Sequence, residues 1–434
     1  MKIKKGKITE IILNCIGNCL KQNHNIAIRM ILFVISTTLI LEAKAQESSI
    51  SKKNICFIQY PNFPGAKSTW GDIGYNPKYN SVYIGVTNHI DSVGLFEYNI
   101  TKNSMELKGF IGELANLRSF QWQGKVHSKI IADSDGNIYF STDGGDMRQL
   151  DFMNGPYGYS GGYFMKWDPK EKRLTNLGMG LQYESLKDID LDPESGIIYA
   201  VTFPQVHFLV YDAKKNDLQD LGRLGCAHVP RVLFTDQWGN CYYVDWRQRL
   251  VKYEKSLNKL VFDKESLPAF PGTPGINIIT GITAYAKNKN ENIIYLVTYG
   301  GKLLAFHPER TGIGKVDDLG GVFDASDKEK WNYYVPNLNF GNNGKLYYFI
   351  GGHGNFAIRN KTVLIEFDPL SHDKRIIFEY PTDILAEATG SDVKDRDGNL
   401  YFAGRLDETD SLANYSGDRK MAFMIKFNPT KEFK

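Results

Sequence analysis

The sequence has little from which to build a helical protein. No segment after residue 60 carries a sustained 3.6-residue apolar period, which excludes helix bundles and layered α/β folds. It has no G-x-S-x-G elbow, no P-loop and no dinucleotide-binding glycine fingerprint, so the common nucleotide and serine-hydrolase readings lose their main support. Long hydrophobic runs are missing too. The run MILFVISTTLIL, residues 30–41, is 12 residues long, too short to cross a bilayer as a helix. Cysteine is sparse, with five in 434 residues, and only Cys56, Cys226 and Cys241 follow residue 45. Cys226 and Cys241 fall in one expected hairpin about the turn at residues 236–239. The strand rise puts them roughly 25 Å apart, too far for a bridge. Cys241 therefore reads as a small buried apolar residue.

Charge of one sign is also lacking once the first 45 residues are set aside. Lys2, Lys4, Lys5, Lys7 and Arg29 precede the 12-residue apolar run, and Ala43-Lys44-Ala45 follows it. This is the pattern of a signal peptide over residues 1–45, with an uncleaved anchor as the alternative. Its removal takes seven basic and two acidic residues and moves the formal charge from +3 to −2. A nucleic-acid partner and a stable membrane insertion are therefore not expected. No Cys follows the cleavage pattern, which argues against a lipid anchor. Residues 46–434 are expected to form one secreted or periplasmic domain, as a monomer.

What is present is a repeat. A few polar or turn residues followed by a β-rich triplet containing Tyr recur seven times, among them DSDGNIYFST (133–142), DQWGNCYYVD (236–245) and DRDGNLYFAG (395–404). The aligned tyrosines are Tyr83, Tyr139, Tyr199, Tyr242, Tyr295, Tyr347 and Tyr401, spaced by 56, 60, 43, 53, 52 and 54 residues. A period near 50 marks a repeat architecture. Each copy is followed by a short apolar run ending in an aromatic, a turn and a further extended run, and is preceded by another apolar run. The unit is thus four strands joined by Asp-Gly, Asn-Gly or Asp-Pro turns. Four-stranded units repeated radially make a β-propeller, so the expected fold is all-β, a seven-bladed propeller of four-stranded blades. The last copy ends after its third strand, and NICFIQY (54–60) is expected to supply the missing outer strand by pairing with residues 422–428.

In such a fold the innermost strands begin on the face where the loops between second and third strands also open. Seven of the eight histidines follow residue 45, and five are expected on that face. His127 and His228 open innermost strands, while His89, His207 and His353 lie in the loops. Asp143, Trp246, Arg247, Tyr299 and Arg405 are placed in the same loops, and Arg231, Asn277 and Glu387 near the strand starts. Such convergence marks a site. Guanidinium groups pair with carboxylates and aromatic faces stack on sugar rings, so the rim suits an acidic sugar. Cys226-Ala227-His228 puts a thiol and an imidazole on one side of an extended strand. With His207 from the preceding unit they would suit zinc; a buried structural pair is the alternative.

The runs KVHSKIIADSDGNIYFST, GGYFMKWDPKEKRLTNLG, FPQVHFLVYDAKKNDLQDLG and HVPRVLFTDQWGNCYY resemble the seven-bladed polysaccharide lyases, above all the ulvan lyases. The resemblance covers residues 70–260 best and the remainder at the level of the repeat. It implies β-elimination at a uronic acid of an anionic polysaccharide, with His127 in proton transfer and Arg231 neutralising the carboxylate. It also implies a structural metal built from Cys and His, for which His207, Cys226 and His228 are the candidates. Two departures stand out. Asp143-Gly144-Gly145 occupies the place where such enzymes often have a second His, and Tyr183, Tyr243 and Tyr299 are all admissible as the proton-transferring tyrosine. The expected function is therefore a polysaccharide lyase, with a non-catalytic glycan-binding or interaction propeller as the alternative. His89, Asp143, Trp246, Arg247, His353 and Arg405 are its expected substrate contacts.

Overall fold

The computed structural model describes residues 50–61, 63, 66, 69, 71, 73–87, 93–118, 121–144, 159–225, 232–268, 281–323, 334–351, 361–406 and 422–433. The compact unit Lys52–Lys434 is almost wholly β. Among the described residues no helix is long and apolar enough to cross a membrane.

The tyrosine repeat has a local physical cause. In three copies the motif is Asp-x-x-x-Asn-x-Tyr with Gly just before the Asn. One oxygen of Asp133, Asp236 or Asp395 accepts the backbone N–H of the Asn at 2.9–3.0 Å. The other accepts the Asn amide at 2.6–2.8 Å and the Tyr hydroxyl at 2.8–3.1 Å. Gly136, Gly239 and Gly398 hold φ at 78–80°, the left-handed region in which a Cβ is costly. The aspartate thus ties the turn to the strand that leaves it. Tyr199 and Tyr347 keep the position with other acceptors, the Gly239 carbonyl at 2.7 Å and the Glu366 carboxylate at 2.6 Å. Burial raises the hydroxyl pKa of Tyr242 and Tyr401, and the nearby aspartate raises it further, so both remain donors.

These turns link strands into sheets. Four sheets are four-stranded and antiparallel. One runs Ile73–Asn76, Ser81–Thr87, Val93–Asn99, Ser104–Phe110. The next three begin with innermost strands Ser185–Leu191, Phe234–Thr235 and Ile282–Asn288. A five-stranded sheet has its inner edge divided between Lys125–Val126 and Ile131–Ala132, both paired to Ile138–Asp143. An eight-stranded sheet joins Asn337–Phe340 to Glu387–Ser391 by a short parallel pairing.

Neighbouring sheets are stitched by side chains. Asp188 accepts the N–H of Lys129 at 3.0 Å and of Leu233 at 2.7 Å, joining three innermost strands. Asp190 accepts Thr235 N–H, and Asp392 accepts Lys287 N–H, each at 2.9 Å. Asn339 accepts Val393 N–H at 2.6 Å, and the Lys252 ammonium donates to the carbonyls of Glu309, Arg310 and Gly312. Arg396 closes the ring onto the Pro77 carbonyl at 2.9 Å. The arrangement is propeller-like.

The first strand, Ile55–Gln59, pairs antiparallel with Ala422–Phe427, Ile55 facing Phe427 and Gln59 facing Phe423. The expected closure between the two ends of the domain is therefore present. Cys56 and Cys241 are free thiols. Cys241 is fully buried among Tyr199, Val201, Leu233 and Val251, as the sequence suggested, and burial raises its pKa.

The turn aspartate is expected to be a principal stabiliser. Asp395→Ala leaves the Asn399 and Tyr401 donors without their acceptor inside a buried turn, at a cost of about 3 kcal/mol. Urea denaturation checks this; a loss below about 0.5 kcal/mol, the range of neutral surface changes, would contradict it.

Candidate functional site

His127 stands where an innermost strand breaks. Lys125 and Val126 pair with Asp143 and Thr142, and pairing resumes only at Ile131. Across the gap the Ser128 hydroxyl takes the place of a ladder carbonyl and accepts Ser141 N–H at 2.8 Å. The break lets the His127 ring, 4% exposed, reach the next sheet, where Nδ1 lies 2.8 Å from the Lys187 carbonyl oxygen. A carbonyl only accepts, so Nδ1 carries the proton. In the neutral ring Nε2 is then the basic nitrogen.

Lys187 is the residue that sequence reasoning missed. Its ammonium is ion-paired with Asp143, and both side chains are almost completely buried. It also lies 5.0 Å from the centre of the Phe203 ring. Lys125 sits opposite Asp143 in the strand register. His127, Lys187, Asp143 and Lys125 thus gather at the strand starts of two adjacent sheets. All seven residues of Ser185–Leu191 are buried, so a lysine there needs a partner. Tyr159 adjoins this group. Its hydroxyl donates to Gln123 at 3.1 Å. Its pKa is raised by burial first and then by the Asp143 charge, so the hydroxyl keeps its proton. Gly144 lies against its ring, where a Cβ would meet carbon atoms at 3.1–3.2 Å.

The other expected residues are distributed differently. Tyr243 is buried in the cluster of Tyr199, Val206 and Leu233. Tyr299 is buried with its ring 5.6 Å from that of Tyr334. Tyr183 is half exposed in a left-handed turn, φ 64°. Arg405 and Glu387 are cross-strand neighbours, buried and ion-paired. Trp246 is 53% exposed, and the Arg247 guanidinium lies 4.9 Å from its ring centre. Asp245 fixes that turn by accepting the Arg247 and Arg249 N–H groups, both at 2.9 Å. The pair is an exposed aromatic–cation contact held on a fixed turn.

His207 is the first residue of the strand His207–Asp212, at the edge of the loop in which it was expected. Its Nδ1 donates to the Asp220 carboxylate at 2.8 Å, so Nε2 is left as the donor atom for a metal. A carboxylate-backed imidazole is how metal-binding histidines are commonly oriented. Glu184 feels the His207 and Arg223 charges, but burial dominates and raises its pKa. Among the described residues no three His, Cys, Asp or Glu side chains cluster as metal ligands. His89, Cys226, His228, Arg231 and His353 lie outside the described residues, as do residues 1–49.

No family model matches the chain, and no curated protein aligns with it. Among solved structures it is similar to YCF48 from Cyanidioschyzon merolae, with a TM-score of 0.50 and 11% identity over 87% of this chain and 100% of that one. A protein from Lactobacillus plantarum aligns at 10% identity and a TM-score of 0.49, over 75% and 95% of the two chains. A chain of the mitotic checkpoint complex gives 10% and 0.49 over 89% and 97%. The likeness to YCF48 concerns the propeller-like fold alone.

The Asp143–Lys187 pair makes a direct expectation. Asp143→Ala leaves a buried ammonium without its carboxylate and should lower stability by about 3–5 kcal/mol. The double variant Asp143→Ala/Lys187→Met should recover most of the loss. Equal stability of parent and single variant in chemical denaturation would contradict the pairing.

Proposed function

We propose that the chain is a secreted seven-bladed β-propeller that cleaves a uronate-containing anionic polysaccharide by β-elimination. In this reading the four four-stranded sheets, the sheet with the divided inner edge and the two halves of the eight-stranded sheet would each count as a blade, seven in all. The observation that carries the reading is His127, whose Nδ1–H is engaged by the Lys187 carbonyl, so that Nε2 is the nitrogen able to take a proton. In the proposed reaction Nε2 removes the C5 proton of the uronate. Arg231 neutralises the adjacent carboxylate, which makes that proton accessible and stabilises the developing enolate. The electron pair then forms the C4–C5 double bond as the C4–O4 bond breaks, and a tyrosine hydroxyl protonates the departing O4. Tyr243 and Tyr299, with Tyr183 also admissible, are the donors the sequence offers. Tyr159 joins them because it stands by Asp143 and keeps its proton.

Trp246 and Arg247 would hold a neighbouring sugar through stacking and charge. His89, His353 and Arg405 are the further proposed contacts, Arg405 only on release from Glu387. His207, Cys226 and His228 would hold a zinc ion, which would supply structural cross-linking between two blades.

A second reading, glycan binding without cleavage, is favoured by one observation. Asp143 is committed to Lys187, so the position where the lyases often have a second His serves the fold here.

The test is incubation of the mature protein with a panel of uronate polysaccharides, following the absorbance of the unsaturated product. The lyase reading expects product from at least one polymer. His127→Ala should lower turnover at least about 100-fold with substrate binding nearly intact. Arg231→Ala should cost more turnover than binding, because charge develops on the way to the enolate. Binding without product in the parent protein would transfer the assignment to the second reading; undiminished turnover in His127→Ala would remove His127 from the reaction.

A further inference from the structure

The innermost strands end around a cavity of about 660 Å³, at the opposite end of those strands from the His127 group. Its wall includes Lys129, Lys287, Lys289, Lys394 and Arg396, contributed by three sheets. The volume suits a small molecule.

The charges in this wall are not balanced in kind. Its carboxylates are occupied as acceptors of the fold. Asp236 and Asp395 each serve an Asn side chain and a Tyr hydroxyl in their own turns. Asp190 accepts Leu191 N–H and Thr235 N–H, and Asp392 accepts Lys287 N–H. Two cations are occupied as well. The Lys129 ammonium donates to Asp188 and to the carbonyls of Ile189 and Leu233, and Arg396 to the Pro77 carbonyl and the Tyr75 hydroxyl.

Lys287, Lys289 and Lys394 are different. The Lys287 ammonium reaches the Thr235 hydroxyl at 3.3 Å and lies 5.5 Å from the centre of the Tyr285 ring. That of Lys394 lies 5.6 Å from the Phe340 ring. Among the described residues none of the three has a carboxylate within 4.0 Å. Burial lowers the Lys394 pKa and the Lys289 charge lowers it further, against the pull of Asp392. A charge so placed gains from a counter-anion that enters the cavity.

We propose that this cavity is a second binding site, for a small polyanion carrying tetrahedral oxyanion groups, a phosphate or sulfate ester, held by Lys287, Lys289 and Lys394. Lysine binds phosphate groups as a point charge, without the planar fork that guanidinium offers to carboxylate and phosphate alike. Tyr285 forms part of the wall, and the ammonium groups of Lys129 and Lys287 each lie 5.5 Å from its ring centre, which adds positive charge to the site. The site shares no residue with the proposed lyase centre, so it stands whether or not that centre is catalytic.

Inorganic pyrophosphate and inorganic sulfate are the probes, added to the full mature protein in thermal unfolding and calorimetric titrations. A ligand of the folded state raises the melting temperature in proportion to the logarithm of its concentration. One of the two probes should do so with saturable binding, and the stronger one identifies the ester class. The double variant Lys289→Gln/Lys394→Gln should bind at least about tenfold more weakly, roughly 1.4 kcal/mol, and His127→Ala should bind as the parent does. Lys289 is exposed, so Lys289→Gln alone provides the same comparison should the double variant fold poorly. An equal shift from sodium chloride at matched ionic strength would overturn the proposal, since that is screening. So would tighter binding of citrate than of either probe, or parent-like binding by Lys289→Gln and the double variant.

Discussion

An innermost strand has one edge paired within its own sheet and one edge turned to the axis. Backbone N–H groups on that free edge must find acceptors, because burying them unpaired costs about 1–3 kcal/mol each. The chain meets this constraint with short acidic and amide side chains borrowed from neighbouring sheets. Asp188 serves two strands at once; Asp190, Asp392 and Asn339 serve one each. The cost appears in the carboxyls themselves. Burial raises the pKa of Asp188 and Asp392, and nearby lysines pull it back. Lys129, ion-paired with Asp188, is therefore part of the same solution, compensating a carboxylate that the backbone requires.

That solution divides the polar residues into two kinds. Those along the middle of the innermost strands are spent on the fold. Those nearer the strand ends include His127 and Tyr159, both buried, on one face, and the lysines that line the cavity on the other. Asp143 and Arg405, the last residues of second strands, show that a polar residue on the His127 face can still belong to the fold, since each is held in a buried ion pair. Burial and pairing, more than residue type, separate the two kinds.

Much of the architecture was legible because it is written locally. The Asp-x-x-x-Asn-x-Tyr turn is a seven-residue device whose partners all lie within it, so its recurrence exposes the repeat. The apolar runs that follow the repeat form third strands, three of them beginning at Arg249, Lys302 and Ala422. The closure of Ile55–Gln59 onto Ala422–Phe427 followed from a missing strand. The site was less legible because its contacts cross between sheets. Nothing near His127 in sequence indicates that its ring meets the carbonyl of Lys187, 60 residues away. Tyr159 lies in no repeat element and was passed over for tyrosines that follow strands, two of which, Tyr243 and Tyr299, are packed in the interior. The break in the strand at residues 127–130 depends on one serine hydroxyl replacing a carbonyl, which no periodicity reports.

The dependence of the ring on borrowed acceptors is open to direct measurement by native-state hydrogen exchange. The amides of Lys129, Leu233, Thr235 and Lys287 lie on strand edges with no ladder partner, yet each has a carboxylate acceptor at 2.7–3.0 Å. They are expected to exchange only through global or near-global opening, with protection equal to that of amides inside the sheets. Exchange of these four amides at the rate of exposed turns, while the sheet amides stay protected, would contradict the account.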